Sequence, residues 1–562
     1  MRVPLSGRRV RGFVLGVVPD RDGNLKEIAS ISGSSPIFDL RLAKSLDWAR
    51  SHYVAPFAVL LERSSPPNLP RSTGQAPSTE LALENSPGNG LDDVVNRVLA
   101  NKKGPVTAQV GRWQSLSWVN AITPLLISGK SALVVASTAA EVGSIAGRLR
   151  ERFGDRLVTV AGDNAKELTS AWEAAQHPGK LVLGTPRASL WQIGGLSLAV
   201  VLEEGRRAMK DRQTPTLHVR DVLATRARIE GFSLAFLGPT PTLEVLSRGA
   251  QVVLSRDRPW GQVEVVDRTQ DPPGSGFLSS QVVAALRATS SAGRTSFVFT
   301  HRRAVDSSMR CTTCRRVRQC GNCESRLGRT EACRRCGTPT GPCVHCGGTS
   351  FEEMGSIPER ILAEANRKLG AGHAGLHPAE EPVSVGTERD LAALAEIDLA
   401  VAVDADALAL GENYRTSEEA LRVLARLGDA LKPGTGRRMM VQTSMPDSAL
   451  FVALRRGKPI PYLEDLLVER ARLGMPPSTE MLALEVRGDE VPNEVADQVK
   501  TLENATVLGP ADVQRGRRDG AGGQRWLIQG ELSKARASLR GMVQGWRDSG
   551  LTVRVDADPI DL

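Results

Sequence analysis

Aromatic residues are scarce, at 4% of 562 residues, and the 54 Gly and 33 Pro are spread along the chain, which excludes a collagen-like or low-complexity protein. No apolar run reaches the roughly eighteen residues that a membrane span requires. The longest candidate, 181–202, is broken by Arg187 and Gln192. The first nine residues, Met1 to Arg9, hold no apolar core of secretory type. Cysteine is missing everywhere except between Cys311 and Cys346. What is present, 41% hydrophobic and 24% charged residues, suffices for sizeable cores and excludes wholesale disorder. The expectation is a soluble, cytoplasmic protein of three to five domains with no membrane partner, at roughly 100–200 residues per domain.

The net charge is +9, and its distribution matters more than its size. Residues 301–350 hold ten Arg, no Lys and three acids (Asp306, Glu324, Glu331), so seven of the nine net charges fall in fifty residues. The same stretch holds all eight cysteines, as four C-x-x-C pairs: Cys311/Cys314, Cys320/Cys323, Cys333/Cys336 and Cys343/Cys346, separated by five, nine and six residues. A C-x-x-C knuckle aims two thiolates at one point, and tetrahedral zinc takes two knuckles. Four knuckles make two closed four-cysteine sites with no ligand left for an open, catalytic position. A disulfide framework would need an oxidising compartment. Spacing alone leaves the pairing open between consecutive and nested schemes. Arg315, Arg316, Arg318, Arg326, Arg329, Arg334 and Arg335 lie among the ligands. They either meet phosphate or offset thiolate charge that two zincs only half neutralise.

Along the chain, 1–63 reads as strands (Arg9–Val18) followed by an amphipathic helix, Leu40–His52, ending at Pro56. A Ser/Pro/Asn/Gly-rich linker covers 64–90. Between 105 and 255 apolar strands (Ala132–Ala136, Leu181–Leu183, Leu198–Leu202) alternate with helices such as Ala139–Phe153, the rhythm of a parallel α/β layer. A second such layer, 256–445, has strands Phe297–Phe299 and Leu399–Val403 flanking the cysteine insert. The tail, 446–562, combines helix Leu463–Leu473 with strands Met481–Val486 and Trp526–Gln529 and an Arg/Gly loop from Gln514 to Arg525. Two α/β layers suggest a nucleotide-driven motor, yet its phosphate chemistry is missing. Pro124–Ser131 ends in Gly-Lys-Ser but leads into a strand rather than out of one, the wrong context for a phosphate loop. After Leu198–Val201 comes Leu202-Glu203-Glu204-Gly205, with Leu where the magnesium carboxylate belongs.

With these residues the chain resembles the PriA family of bacterial replication-restart helicases, in the degenerate actinobacterial form that lacks the helicase motifs. The resemblance runs from about residue 3 to the C-terminus, and the eight-cysteine insert is its most specific part. Leu183–Arg187 is similar to the family's G-T-R segment, Leu202–Gly205 to D-E-E-H and His218–Asp221 to H-A-R-D. Gly238–Glu244 resembles G-S-A-T-P-x-L-E, 469–477 the E-R…P-P segment, and Asp556–Ile560 the closing D-V-D-P. The departures cluster on ATP. The P-loop position holds Gly111–Trp118 without a Lys-Thr pair, and the last residue of the R-A-G-R-like segment Arg422–Asp429 is an acid facing a γ-phosphate site, although Arg426 remains.

The resemblance implies an α/β multidomain protein: a small β-rich N-terminal DNA-binding domain (1–63), a linker with a residual winged-helix region (64–104), two degenerate RecA-like helicase lobes (105–255 and 256–445), a two-zinc insert in the second lobe (311–346) and an α+β C-terminal domain (446–562). Strands of the family's terminal sheet lie ahead of the one at residue 9, so the 3′-end pocket is expected to be incomplete. The family pairs its ligands in the nested way, which assigns Cys311, Cys314, Cys343 and Cys346 to one zinc and Cys320, Cys323, Cys333 and Cys336 to the other. ATP is not expected as a cofactor, and no catalytic residue is assigned. The implied function is recognition of abandoned or stalled forks and reloading of the replicative helicase through primosome assembly. Its partners would be forked DNA, primosome proteins, the helicase or its loader, and single-strand-binding protein. DNA contacts are expected from Arg8, Arg9, Arg11, Arg315, Arg316, Arg515, Arg517, Arg518 and Arg525. Two other readings compete: an active ATP-dependent 3′→5′ helicase retaining Glu203, Glu204 and Arg426, and a zinc-dependent protein-interaction module.

Overall fold

The computed structural model describes residues 2–5, 8–16, 28–30, 36–68, 70, 76–81, 106–109, 116, 118–254, 260–269, 271–272, 275–301, 309–314, 316, 318–324, 327–333, 336–353, 358–392, 394, 396–411, 413–432, 434–513 and 522–561. The chain groups into two compact units, Met1–Asp257 with Leu463–Leu562, and Arg258–Tyr462.

The first unit is built on a seven-stranded, all-parallel sheet in the order Leu157–Val160, Leu181–Gly184, Ser131–Val135, Leu196–Leu202, Ser233–Gly238, Val106–Gln109, Gln251–Leu254. Strands buried on both faces read as continuous apolar runs, and Ser131–Val135 is buried at all five positions. The helix Ala139–Phe153 begins in a capping box between Thr138 and Glu141 and buries Val142, Ile145, Ala146, Leu149 and Phe153, one face of a 3.6-residue period. It ends at Gly154, whose φ of +48° suits glycine. Pro124 lies inside the helix Val119–Ile127, and Gly129 turns that helix into strand Ser131–Val135. This helix-to-strand order is the reverse of a phosphate loop.

The two ends of the chain share one core in this unit. Helix Leu40–His52, capped by Asp39 Oδ1 accepting from the Leu42 N–H at 2.7 Å, buries Leu42, Leu46 and Ala49. A further helix, Phe57–Arg63, adds Leu60 and Leu61. They join Leu482, Leu484, Trp526, Ile528 and Val555 of an antiparallel sheet ordered Ala505–Val513, Gly522–Gly530, Glu480–Gly488, Thr552–Ala557. Helix Ser533–Asp548 contributes Leu539 and Val543 to the same core.

Two N-terminal expectations change. The strand expected over Arg9–Val18 is Arg8–Arg11, because Phe13 leaves the extended line to pack on Phe38 (6.0 Å) while Val14 and Leu15 face solvent. A strand also precedes it: Arg2–Leu5 pairs antiparallel with it, Val3 opposite Val10. The linker carries ordered anchors. Ser64 and Ser65 are buried, and Ser78 and Thr79 donate from backbone and hydroxyl to both carboxylate oxygens of Asp155 at 2.6–3.0 Å. Residues 82–104 lie outside the described residues.

The second unit holds a six-stranded parallel sheet, ordered Gln262–Asp267, Arg438–Thr443, Leu399–Ala402, Ser296–Phe299, Val383–Gly386, Ala374–Leu376. The cysteine insert leaves this sheet after Ser296–Phe299. Its stem is a two-stranded ribbon, Met309–Cys311 against Phe351–Glu353, with Cys311 opposite Phe351.

Candidate metal centres and the edge of the first sheet

Each cysteine pair is a tight turn whose geometry comes from the backbone. Gly337 and Gly347, directly after Cys336 and Cys346, both sit at φ +72°, and each donates its N–H back to the carbonyl of the first cysteine of its knuckle, Cys333 or Cys343, at 2.8 Å. After Cys323 the same place is taken by Glu324 at φ +56°. The folded insert brings the knuckles together in the nested order: Cys311, Cys314, Cys343 and Cys346 form one group, Cys320, Cys323, Cys333 and Cys336 the other, with all sulfurs of a group within 4.8 Å of one another. Cross-knuckle Sγ–Sγ distances are 3.6 Å for Cys311–Cys346, 3.6 Å for Cys314–Cys343, 3.5 Å for Cys320–Cys336 and 3.6 Å for Cys323–Cys333. A tetrahedron of Zn–S bonds of about 2.3 Å spaces its sulfurs roughly 3.8 Å apart, so both groups fit such an ion. Hydrogen bonds at the knuckles favour thiolate at some ligands: the Cys314 N–H holds the Cys311 thiol down at about 6, and the Thr338 hydroxyl and N–H hold Cys336 at about 5, whereas at Cys346, against the Gly348 N–H, the neighbouring sulfurs of its group push the thiol up to about 12.

The arginines among the ligands divide. Arg318 is an internal strut, its guanidinium 4.1 Å over the Phe351 ring and donating to the Gly341 carbonyl at 3.2 Å. It joins the ribbon stem to the outer loop. Arg316 is exposed, and its Nη1 lies 3.4 Å from His345 Nδ1. Arg315, Arg326, Arg334 and Arg335 lie outside the described residues, as do Arg515, Arg517 and Arg518. Arg8 and Arg9 lie on the first hairpin. Arg11 donates to the Pro66 carbonyl at 3.0 Å and stacks 5.4 Å from the Phe13 ring. Arg525 donates to the Asp561 carbonyl at 3.2 Å, and Glu485 is its cross-strand neighbour.

Strand Leu196–Leu202 delivers Glu203 and Glu204 at the carboxyl edge of the sheet, where ligands bind in open α/β folds. Both glutamates are buried and committed to the protein. Glu204 Oε1 accepts from the Thr242 N–H at 2.8 Å and its other oxygen from the Gly205 N–H at 3.0 Å, while burial raises its pKa. Glu203 faces Arg206, which also pairs with Glu141. Leu202, where a metal-binding acid would stand, is 2% exposed and belongs to one apolar cluster with Leu116, Trp118, Val119 and Leu237. Leu116 (φ +60°) and Glu203 (φ +54°) are both in the left-handed region, at a cost of about 1 kcal/mol each that surrounding packing must offset. Most of the segment 111–118 lies outside the described residues. In the second unit Arg426 is buried, with Nη1 3.4 Å from Glu388 Oε1, and Asp429 is buried at the end of the same helix, Thr416–Asp429.

Sequence reasoning named the segments His218–Asp221 and Asp556–Ile560 but not Lys210, Tyr53 or His52, nor the contacts by which they fasten this edge. Lys210 Nζ donates to the carbonyls of Ala557 (2.6 Å) and Asp558 (2.7 Å) and pairs with Asp556 at 2.6 Å. Tyr53 Oη accepts from the His218 N–H at 3.0 Å, and His52 Nε2 meets Asp558 Oδ2 at 3.3 Å. Asp221 is clasped by Arg220 and Arg248; burial alone would raise its pKa, but the two guanidiniums hold it well below the usual range. The partners lie up to hundreds of residues apart, so no local signal marks them.

Two family models match the chain: the primosomal protein N C-terminal domain over residues 471–560, and the 3′ DNA-binding domain (3′BD) over residues 1–66. The chain is 28% identical over 492 residues to the probable replication restart protein PriA of Deinococcus radiodurans, covering 78% of this chain and 52% of the relative. It is 24% identical over 592 residues to the probable replication restart protein PriA of Mycobacterium leprae, covering 93% and 88%. Against the Deinococcus radiodurans and Synechocystis relatives, the chain spans about half their length, 52% and 53%. A solved structure of RecG bound to a three-way DNA junction overlays with a TM-score of 0.38 at 11% identity, covering 77% of this chain and 56% of that one, a likeness too distant to bear on function. Among the described residues no helix is long and apolar enough to cross a membrane.

Proposed function

We propose that this chain, a relative of the PriA replication restart proteins, binds forked or branched DNA and promotes primosome assembly and helicase reloading in the cytoplasm, without ATP-driven unwinding of its own. One observation carries the non-enzymatic half: Leu202 lies in an apolar cluster with Leu116 and Trp118 at the sheet edge where a magnesium carboxylate would be required. Glu203 and Glu204, the remnants that favour an active helicase, are tied to Arg206 and Thr242 instead. The DNA-binding half draws support from the match of residues 1–66 to the 3′ DNA-binding domain.

In this reading the two four-cysteine groups hold zinc, which supplies only a fixed tetrahedral anchor. The chain's own contribution would be to present Arg315 and Arg316 to phosphate from the short scaffold that the knuckles form. Primosome proteins, the helicase or its loader, and single-strand-binding protein would be the protein partners.

ATP hydrolysis by the metal-loaded full chain at saturating fork, with fork binding followed by anisotropy in the same tube, tests the proposal. The expected result is a bound fork and no turnover. Turnover that disappears in Glu203→Gln would overturn it.

A further inference from the structure

The segment Asp556–Asp561 holds three acids, and each stands against a base. Asp556 pairs with Lys210 at 2.6 Å and with Arg554 at 3.1 Å, and Asp558 Oδ2 meets His52 Nε2 at 3.3 Å. Asp561 Oδ2 pairs with Arg207 Nη1 at 2.8 Å, while the Asp561 carbonyl accepts from Arg525 Nη2 at 3.2 Å.

The two ends of this segment differ in firmness. At its start Ala557 is buried, and Lys210 Nζ holds the carbonyls of Ala557 and Asp558. At its far end the Arg207–Asp561 pair lies in solvent, with side chains 45% and 66% exposed. Water screens such a pair, and two long side chains must be held still to make it, so an exposed pair is weak. Another anion offered at the same place can replace it.

The cations that Asp561 holds are suited to phosphate, which arginine binds as it binds carboxylate. Arg207 opens the short turn Arg207–Met209, which follows strand Leu196–Leu202 and Glu203 at the carboxyl edge of the first sheet. Arg525 stands on strand Gly522–Gly530 beside Glu485, whose other cross-strand neighbour is Arg554. Glu485 is itself paired with Arg487 at 2.5 Å. Asp561 is thus the acid that Arg207 and Arg525 share, and it sits on an arginine that the sequence assigns to DNA.

We propose that Arg207 and Arg525 form a site for one backbone phosphodiester of DNA, and that Asp561 occupies this site in the DNA-free chain as an autoinhibitory contact. The assignment rests on the fork-binding reading above for its source of phosphate. Binding exchanges a carboxylate for a phosphodiester of the same charge on the same guanidiniums. Only Pro559 and Ile560 separate Asp561 from the anchored Asp558, so the acid returns when the DNA leaves.

The test is a double-mutant cycle on the metal-loaded full chain, read as anisotropy of a labelled fork at low salt and repeated with a labelled heparin fragment, a polyanion without bases. Asp561→Asn should tighten fork binding by about 2- to 5-fold; the upper figure is about 1 kcal/mol at tenfold per 1.4 kcal/mol, the most that an exposed pair usually contributes. Arg207→Gln should weaken binding, and adding Asp561→Asn to it should bring no gain. A gain that persists in full beside Arg207→Gln would overturn the proposal, because it would come from net charge alone. So would an equal gain from Asp497→Asn, whose carboxylate is 74% exposed and pairs with Lys500 at 3.2 Å. Fork affinity unaltered in Asp561→Asn removes the site and leaves the fork reading standing. The same cycle on heparin with no fork bound has the reverse meaning, keeping Asp561 as the guard of an anion site and removing DNA as its ligand.

Discussion

His218 caps the helix Val219–Glu230 through Nδ1, which accepts from the Arg220 N–H at 3.2 Å. Only an unprotonated Nδ1 can accept that bond. Burial pushes the His218 pKa well below its ordinary value, and Arg220 and Lys210 push it the same way against the weaker pull of Asp221 and Glu244. The sign follows from linkage. The unfolded chain binds a proton near pH 6.5 while the folded chain refuses it, so stability is complete above that pH and is lost as pH falls below it. Between about pH 7.5 and 5.5 the loss assignable to His218 should reach about 1.4 kcal/mol. His218→Asn keeps a capping acceptor and does not titrate. Urea denaturation followed by tryptophan fluorescence at the two pH values should show a correspondingly smaller drop for the variant. Equal drops in both proteins would mean that His218 is protonated in the fold.

At the level of elements, what could be read from sequence was what neighbours in sequence determine. Helix Ala139–Phe153 and helix Leu40–His52 carry their caps and apolar periods within themselves, and both stand at their expected bounds. The parallel strands announced themselves as short apolar runs. The seven-residue helix Phe57–Arg63 escaped because it is too short for a period to emerge. The Lys210 contacts and the Asp155 anchor of Ser78 and Thr79 escaped because their partners are distant in sequence. The knuckles show the same division. Each C-x-x-C was legible, whereas their pairing depends on how the ribbon Met309–Cys311 and Phe351–Glu353 closes the insert. This grouping has a stoichiometric consequence. Cys311 and Cys343 belong to one group here, whereas consecutive pairing would put them in different ones. The double variant Cys311→Ser, Cys343→Ser should therefore lose one metal ion per chain and keep the other, read by metal analysis of the purified protein. Loss of both, with the insert still folded, would favour the consecutive scheme.

For the whole chain, a net charge of +9 would count for little if it were evenly spread, but seven of those charges fall within residues 301–350. The nine arginines expected to meet DNA come from three separate segments: the first hairpin, the cysteine insert, and the stretch 515–525. Phosphate binding releases counterions, so the logarithm of fork affinity should fall linearly with the logarithm of salt, by about 0.9 per phosphate neutralised on duplex. Nine contacts would give a slope of about −8 on that scale. Arg11 and Arg525 already donate to the carbonyls of Pro66 and Asp561, at 3.0 and 3.2 Å. If those bonds persist on DNA, the slope should be about −6, seven contacts at about 0.9 each. Replacing Arg315 and Arg316 together by Ala should flatten it by about 2, and replacing Arg515, Arg517 and Arg518 by about 3. Fork titrations across a salt series would measure each slope. If the insert variant shifted affinity equally at every salt concentration, its arginines would be bracing the fold, as Arg318 does over Phe351, and the DNA contact would have to lie in the other two segments.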